Sequence, residues 1–71
     1  MTTDQLEFAT YCIGNVARAL GWSQPKTYSV LNGSGILMNY IVKSYDVLHT
    51  FSKPYIVEDI VDFMNSKNLV K

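Results

Sequence analysis

The chain has 71 residues, of which 48% are hydrophobic and 13% aromatic, and its six basic residues balance six acidic ones. This length predicts a single domain spanning residues 1–71, and the zero net charge argues against a polybasic surface for nucleic acid. A single cysteine excludes a disulfide within the chain, and one cysteine with one histidine supplies too few soft ligands for a structural zinc site.

The sequence also lacks the patterns of export and membrane insertion. No basic start is followed by an apolar run, so we expect no signal peptide. The most apolar stretch, residues 35–42, is far shorter than the roughly 20 residues that a membrane helix requires. A lone cysteine suits a reducing compartment, so we expect a cytoplasmic protein.

The first predicted helix covers residues 3–20. Thr2 and Gln5 have the spacing of a capping box, and Gly21 is well placed to end the helix. Gly14 costs about 1 kcal/mol relative to alanine inside a helix, and close approach of another helix would explain it. The apolar residues recur at the spacing of one helical face, namely Leu6, Ala9, Ile13, Val16, Ala17 and Leu20.

The second predicted helix is short and covers residues 24–32. Ser23 is a favourable N-cap, and Pro25 is tolerated in a first helical turn. Tyr28 and Leu31 are its predicted inward pair.

The third predicted helix covers residues 35–49 and follows the turn Asn-Gly-Ser-Gly at residues 32–35. This turn lacks the GK[ST] ending of a phosphate-binding loop, and a helix stop followed by a start capped by Ser34 explains it fully. The wide apolar stripe suits a central helix that is contacted on more than one side. Its members are Ile36, Leu37, Tyr40, Ile41, Tyr45 and Leu48, with Met38, Val42 and Val47 beside them.

The fourth predicted helix covers residues 54–66, after a corner that Pro54 imposes. An extended start over Tyr55, Ile56 and Val57 remains an open alternative. The expected inward side chains are Ile56, Val57, Ile60, Val61 and Met64, with Phe63 at the edge. The favoured fold is therefore all-α, a small orthogonal bundle of about four helices.

His49 and Asp46 are the pair most suggestive of catalysis. They lie three residues apart, so the carboxylate could orient the imidazole as in half of a hydrolase triad. No supported nucleophile accompanies them, because Cys12 lies among apolar residues and is predicted to be a small core side chain. The favoured interpretation places His49 at a helix end, where its ring bonds to the last carbonyls. We expect no enzyme activity, catalytic residue, metal or cofactor.

The same region is typical of a contact surface. Glu58, Asp59 and Asp62 would form a solvated acidic face or a docking surface for a basic partner. Tyrosine is enriched at interfaces because it combines apolar area with a polar tip, and this chain has five. Which tyrosines are exposed stays open. The candidate partner-binding residues are Tyr45, Asp46, His49, Tyr55, Glu58 and Asp59.

A DNA-binding helix-turn-helix is a further alternative for the two middle helices. Its second helix would need polar and basic residues facing the groove, whereas this one reads GILMNYIV with Lys43 as its single cation. We expect no nucleic-acid partner.

The block YDVLHT at residues 45–50 and the block YIVEDI at residues 55–60 resemble a family of small bacterial all-helical proteins described as a domain of unknown function. Phe8, the run Tyr-Cys-Ile at residues 11–13 and the glycine turn ahead of an apolar helix fit the same pattern. The resemblance covers most of the chain and departs from the family at Pro54, where a glycine-containing turn is expected.

The resemblance implies a single-domain helical protein without established catalytic residues. Some members are encoded beside ADP-ribosyltransferase-like proteins, in what look like toxin–antitoxin modules. The small size, the high apolar and aromatic content, the zero net charge and the lack of a catalytic set favour a protein-interaction module, and the resemblance suggests an antitoxin-like role. The expected partner is a toxin-module protein or a second copy of the chain, with no membrane partner. The alternatives are a small enzyme or toxin that uses His49 with Asp46, and a DNA-binding regulator.

Overall fold

A computed structural model describes residues 1–70 and shows an all-helical domain, as the sequence predicts. Its helices are α1 (Thr3–Leu20), α2 (Gln24–Gly33), a π-helical segment (Leu37–Val42), α3 (Tyr45–Leu48) and α4 (Lys53–Ser66). Residues 1–70 contain no strand. None of the helices in this part of the chain is both long and apolar enough to cross a membrane.

Local signals define both ends of α1, as predicted. The Thr2 hydroxyl accepts the backbone N–H of Gln5 at 3.1 Å, and the Gln5 side chain accepts the N–H of Thr2 at 2.8 Å. Gly21 adopts a left-handed conformation with φ 70°, and the N–H of Trp22 donates to the carbonyl of Ala17 at 2.9 Å. This is the Schellman arrangement, in which a glycine reverses the chain and satisfies the last helical carbonyls.

α2 also follows its local signals. The Ser23 hydroxyl accepts the N–H of Lys26 at 3.2 Å, and a proline lies in the first turn. Beyond the helix, the Ser34 hydroxyl donates to the carbonyl of Leu31 at 3.2 Å, and Gly35 has φ 85°. The glycine turn therefore serves as a helix stop, and its serine is engaged with the backbone.

The predicted single helix over residues 35–49 was wrong in one respect, because the structure divides it. The π-helical segment is followed by a turn at residues 43–44, and the short helix α3 comes after the turn. Four side chains around the segment are buried and form two pairs five residues apart, Ile36 with Ile41 and Leu37 with Val42. In a π-helix the hydrogen bonds join residues five apart, so each pair lies on one face. Burying both pairs against the core is the physical reason for the irregular winding.

α4 begins at the corner that Pro54 imposes, and Tyr55, Ile56 and Val57 are helical rather than extended. Its end is a second Schellman arrangement. Asn68 has φ 59°, and the N–H of Leu69 donates to the carbonyl of Met64 at 3.0 Å. Leu69 and the residue after it return to the core, against which they are half-buried.

The core lies where α1 meets α2, α4 and the π-helical segment. Its buried side chains are Ala9, Cys12, Val16, Leu31, Ile36, Leu37, Ile41, Val42, Ile56, Ile60 and Met64. Thr27 is also fully buried, and its hydroxyl donates to the carbonyl of Ser23 at 2.9 Å, which satisfies the polar group.

Several residues placed inward by the sequence are instead exposed. Leu6 and Tyr28 keep 56% and 48% of their surface exposed, and Met38 and Val47 also face solvent. Helical periodicity gives the direction of a face but not the width that neighbouring helices cover. α2 turns Thr27 inward where Tyr28 was expected, and burial of Thr27 leaves no polar group unpaired because its hydroxyl donates to the Ser23 carbonyl.

Candidate interaction surface

Four ring-bearing side chains from α1 and the α3 region form a continuous line, which we call the aromatic row: Tyr11, Phe8, Tyr45 and His49. The centroids of Phe8 and Tyr11 are 6.2 Å apart, and Phe8 meets Tyr45 edge-on at 5.4 Å. Tyr45 stacks on His49 at 4.5 Å with an angle of 14° between the planes. Offset and edge-to-face contacts of this kind each contribute about 0.5–1.5 kcal/mol beyond burial. The row is therefore an ordered feature that joins two helices.

The two ends of the row are open to solvent and its middle is not. Tyr11 keeps 44% of its surface exposed and His49 is exposed, whereas Phe8 and Tyr45 are half-buried. The half-buried rings hold the exposed ones in place. The aromatic area at the two ends of the row is therefore already ordered in the folded chain.

His49 occupies the helix-end position that the sequence favours. Its Nδ1 lies 2.7 Å from the carbonyl oxygen of Tyr45, which also accepts the His49 backbone N–H at 3.0 Å. Because a carbonyl only accepts, Nδ1 must carry the proton in this contact, which leaves Nε2 as the outward nitrogen. Asp46 is exposed, and no hydrogen bond joins it to His49 within residues 1–70. The ring is thus oriented by its own helix backbone rather than by the carboxylate.

Tyr55 and Glu58 lie beyond the corner, on the first turns of α4. Tyr55 keeps 55% of its surface exposed and meets Phe51 edge-on at 4.8 Å. Glu58 is exposed as well. These two candidates therefore face solvent, and the first is braced by an aromatic neighbour in the corner.

Asp59 has a different role from the other candidates. It is half-buried and accepts a hydrogen bond from the Tyr40 hydroxyl, and the Tyr40 ring meets Phe63 edge-on at 5.0 Å. Burial and the neighbouring Asp59 carboxylate raise the pKa of Tyr40 to about 12. We call Tyr40, Asp59 and Phe63 the tyrosine clamp. It ties the π-helical segment to α4, so the expected solvated acidic face is reduced to Glu58 and Asp62.

Cys12 offers no reactive thiol. It is fully buried, and burial raises the pKa of its thiol to about 12, so the nucleophilic thiolate is not formed near neutral pH. Within residues 1–70, no group of three His, Cys, Asp or Glu side chains is placed to share a metal ion.

Phe8 and Tyr11 were missing from the candidates chosen from the sequence. They lie three residues apart on α1 and so share its flank, but their ring partner comes from residue 45. The signal that could have found them is the excess of aromatic residues at one edge of the apolar stripe. The structure also shows which tyrosines are exposed. Tyr11, Tyr28 and Tyr55 are exposed, whereas Tyr40 and Tyr45 are half-buried.

The comparison with protein families matches residues 7–67 to a family described as a protein of unknown function, DUF3791. The matched interval runs from the second turn of α1 to the residue that follows α4, and it includes the blocks YDVLHT and YIVEDI. No curated protein and no solved structure matches the chain. Because the matched interval covers far more than half of the sequence, the chain belongs to the DUF3791 family.

Proposed function

We propose that the domain is a protein-interaction module that binds its partner through the aromatic row and the adjoining corner between α3 and α4. The observation that carries this proposal is the row itself, in which two exposed rings, Tyr11 and His49, are held by two half-buried ones. A few residues supply most of the binding energy at many protein interfaces, and tyrosine is enriched among them.

Polar side chains on α3 and α4, on either side of the corner, would add polar contacts to this aromatic centre. Asp46 and Glu58 are exposed carboxylates, and Tyr55 presents a hydroxyl on a braced ring. An aromatic centre with a polar rim is the usual arrangement of a protein interface. Asp59 is left out of the proposed surface because its carboxylate is engaged by Tyr40.

The finer proposal is that the partner is the toxin of a toxin–antitoxin pair and that this domain is its antitoxin-like component. Its basis is the sequence resemblance of the two blocks. An antitoxin that inhibits by direct contact needs a rigid complementary surface and no catalytic group. The ordered rings of the aromatic row, two of them exposed, support this proposal.

The experiment is purification of the tagged protein from its native host, followed by native mass spectrometry of the recovered complex. We expect one stoichiometric protein partner, lost when Tyr11→Ser and His49→Ala are combined. The matched control is Tyr28→Ser, which removes an equally exposed tyrosine from α2 and should keep the partner. A clean monomer recovered under several conditions would contradict the proposal. Growth arrest on expressing the partner alone, relieved by this domain, would establish the antitoxin role.

A further inference from the structure

An open groove of about 440 Å³ runs between α1 and α4, separate from the ring contacts of the aromatic row. Its apolar walls come from Ala19 on α1 and from Pro54, Val57 and Val61 on α4. The last three are spaced three and four residues apart and so lie along one side of their helix. Ala19 is small, and its methyl group leaves the space that a longer side chain would fill. The volume lies within the roughly 300–1,000 Å³ of small-molecule sites.

The charged side chains of the groove come from both helices. Arg18 and Lys53 line it, and Glu58 is the single acidic residue among the lining residues. Arg18 Nη1 donates to Asn15 Oδ1 at 3.2 Å, and Asn15 Nδ2 donates to the carbonyl of Tyr11 at 2.8 Å. This chain of hydrogen bonds holds the guanidinium at the wall of the groove.

The position of Lys53 adds to the positive character. It is the first residue of α4, where the helix dipole favours an anion. Ser52 precedes it in an extended N-cap conformation, but its side chain caps no backbone N–H of the first turn. The positive charges of Arg18 and Lys53, together with the N-terminus of α4, therefore exceed the negative charge of Glu58 in the groove.

We propose that this groove binds a small molecule with an apolar body and one anionic group, such as a carboxylate. The apolar body packs on Val57, Val61 and Ala19, and the anion lies between Arg18 and Lys53. A protein partner would need a far larger area, since stable interfaces bury about 800 Å² on each side. The groove shares Glu58 with the proposed partner surface, but no ring of the aromatic row lines it.

The test is an NMR titration of the isotope-labelled protein with decanoate below its micelle concentration, with decanol as the uncharged match. We expect saturable amide shifts confined to the neighbourhood of residues 18–19 and 53–61. Decanoate should bind about fivefold more tightly than decanol, as two solvent-exposed ion pairs would provide. Combining Arg18→Gln with Lys53→Gln should abolish this preference, and Glu58→Gln should strengthen it. Lys43→Gln, an exposed cation outside the groove, is the control.

A second variant tests whether the ligand occupies the groove, without changing the charge of the groove. Ala19→Leu fills the groove at an exposed helical position, so the protein should fold normally and lose both ligands. Shifts scattered over the surface, equal affinity for the two ligands, or unchanged binding in Ala19→Leu would each overturn the proposal. Concentration-dependent shifts at these residues without ligand would also overturn it, because a second copy of the chain would then be the occupant.

Discussion

The tyrosine clamp and the aromatic row are built from similar residue types but differ in where their partners lie. In the clamp, Tyr40 bonds to Asp59, which is 19 residues away on another helix, and both are half-buried. In the row, the His49 ring bonds to the carbonyl of Tyr45 in its own helical turn and remains exposed. The Tyr40 hydroxyl therefore links two elements of the fold, whereas the His49 ring is bonded only within its own turn and stays on the surface.

The largest expected effect is a loss of folding stability in alkaline solution, and it arises from the buried Cys12 thiol and the half-buried Tyr40 hydroxyl. The ordinary pKa values of Cys12 and Tyr40 are 9.0 and 10.0, and both rise to about 12 in the folded protein. Since the unfolded chain loses these protons first, stability is intact below about pH 9 and falls as the pH rises toward 12. For Cys12 the loss is about 1.4 kcal/mol per pH unit, or about 2 kcal/mol at pH 10.5.

Urea unfolding between pH 7 and pH 10.5 measures this loss. Cys12→Ala should remove the decline that begins near pH 9, and Tyr40→Phe should reduce the part that begins near pH 10. Stability that stays constant to pH 10.5 in the unmodified protein would show that neither group holds its proton more tightly in the folded state.

At neutral pH, Tyr40→Phe should destabilise the protein by about 1–2 kcal/mol, because it leaves a half-buried carboxylate without its donor. The ring and its contact with Phe63 are kept, so the change isolates the hydrogen bond. Tyr28→Phe is the matched control on an exposed tyrosine and should stay within about 0.5 kcal/mol. Equal losses of unfolding free energy for the two substitutions would show that the Tyr40–Asp59 hydrogen bond does not stabilise the fold.

Gly14→Ala should stabilise the domain by about 0.5–1 kcal/mol, because alanine favours the helix more than glycine does. It should alter neither the tyrosine clamp nor the aromatic row. The structure does not bear out close helix approach as the reason for this glycine. A Cβ atom at this position would meet Gln24 Nε2 at 4.0 Å, an ordinary contact distance. The midpoint of thermal unfolding should rise in Gly14→Ala. A fall would mean that a methyl group at position 14 clashes with a neighbouring side chain.

The smallest expected effect on stability lies in the row. His49→Ala removes an exposed ring at the end of α3, so it should cost less than about 1 kcal/mol. The midpoint of thermal unfolding measures it against the unmodified protein. A loss as large as that of Tyr40→Phe would make His49 a structural residue of the same kind as the clamp.

The sequence predicted best what depends on neighbouring residues. The caps at Thr2, Gly21 and Ser23 and the end of α4 at Ser66 follow local rules, and the structure has them in place. The helix-end role of His49 was predicted for the same reason, since its acceptor is four residues away.

What the sequence could not predict depends on where separate helices meet. The π-helical winding arises because two i, i+5 pairs are buried together, and helical periodicity contains no signal for this. The sequence placed Asp59 on the surface, whereas its hydrogen bond from Tyr40 holds it in a half-buried position between two helices. The aromatic row depends on the contact between Phe8 and Tyr45, and the groove depends on α1 lying beside α4. Both are contacts between separate helices.

The most direct measurement compares Tyr40→Phe with the combined change Tyr11→Ser and His49→Ala, each assayed for unfolding free energy and for capture of the native partner. We predict that Tyr40→Phe loses stability and keeps the partner, whereas the combined row variant keeps most of its stability and loses the partner. Loss of the partner in Tyr40→Phe while the row variant retains it would contradict the division between a structural clamp and a binding surface.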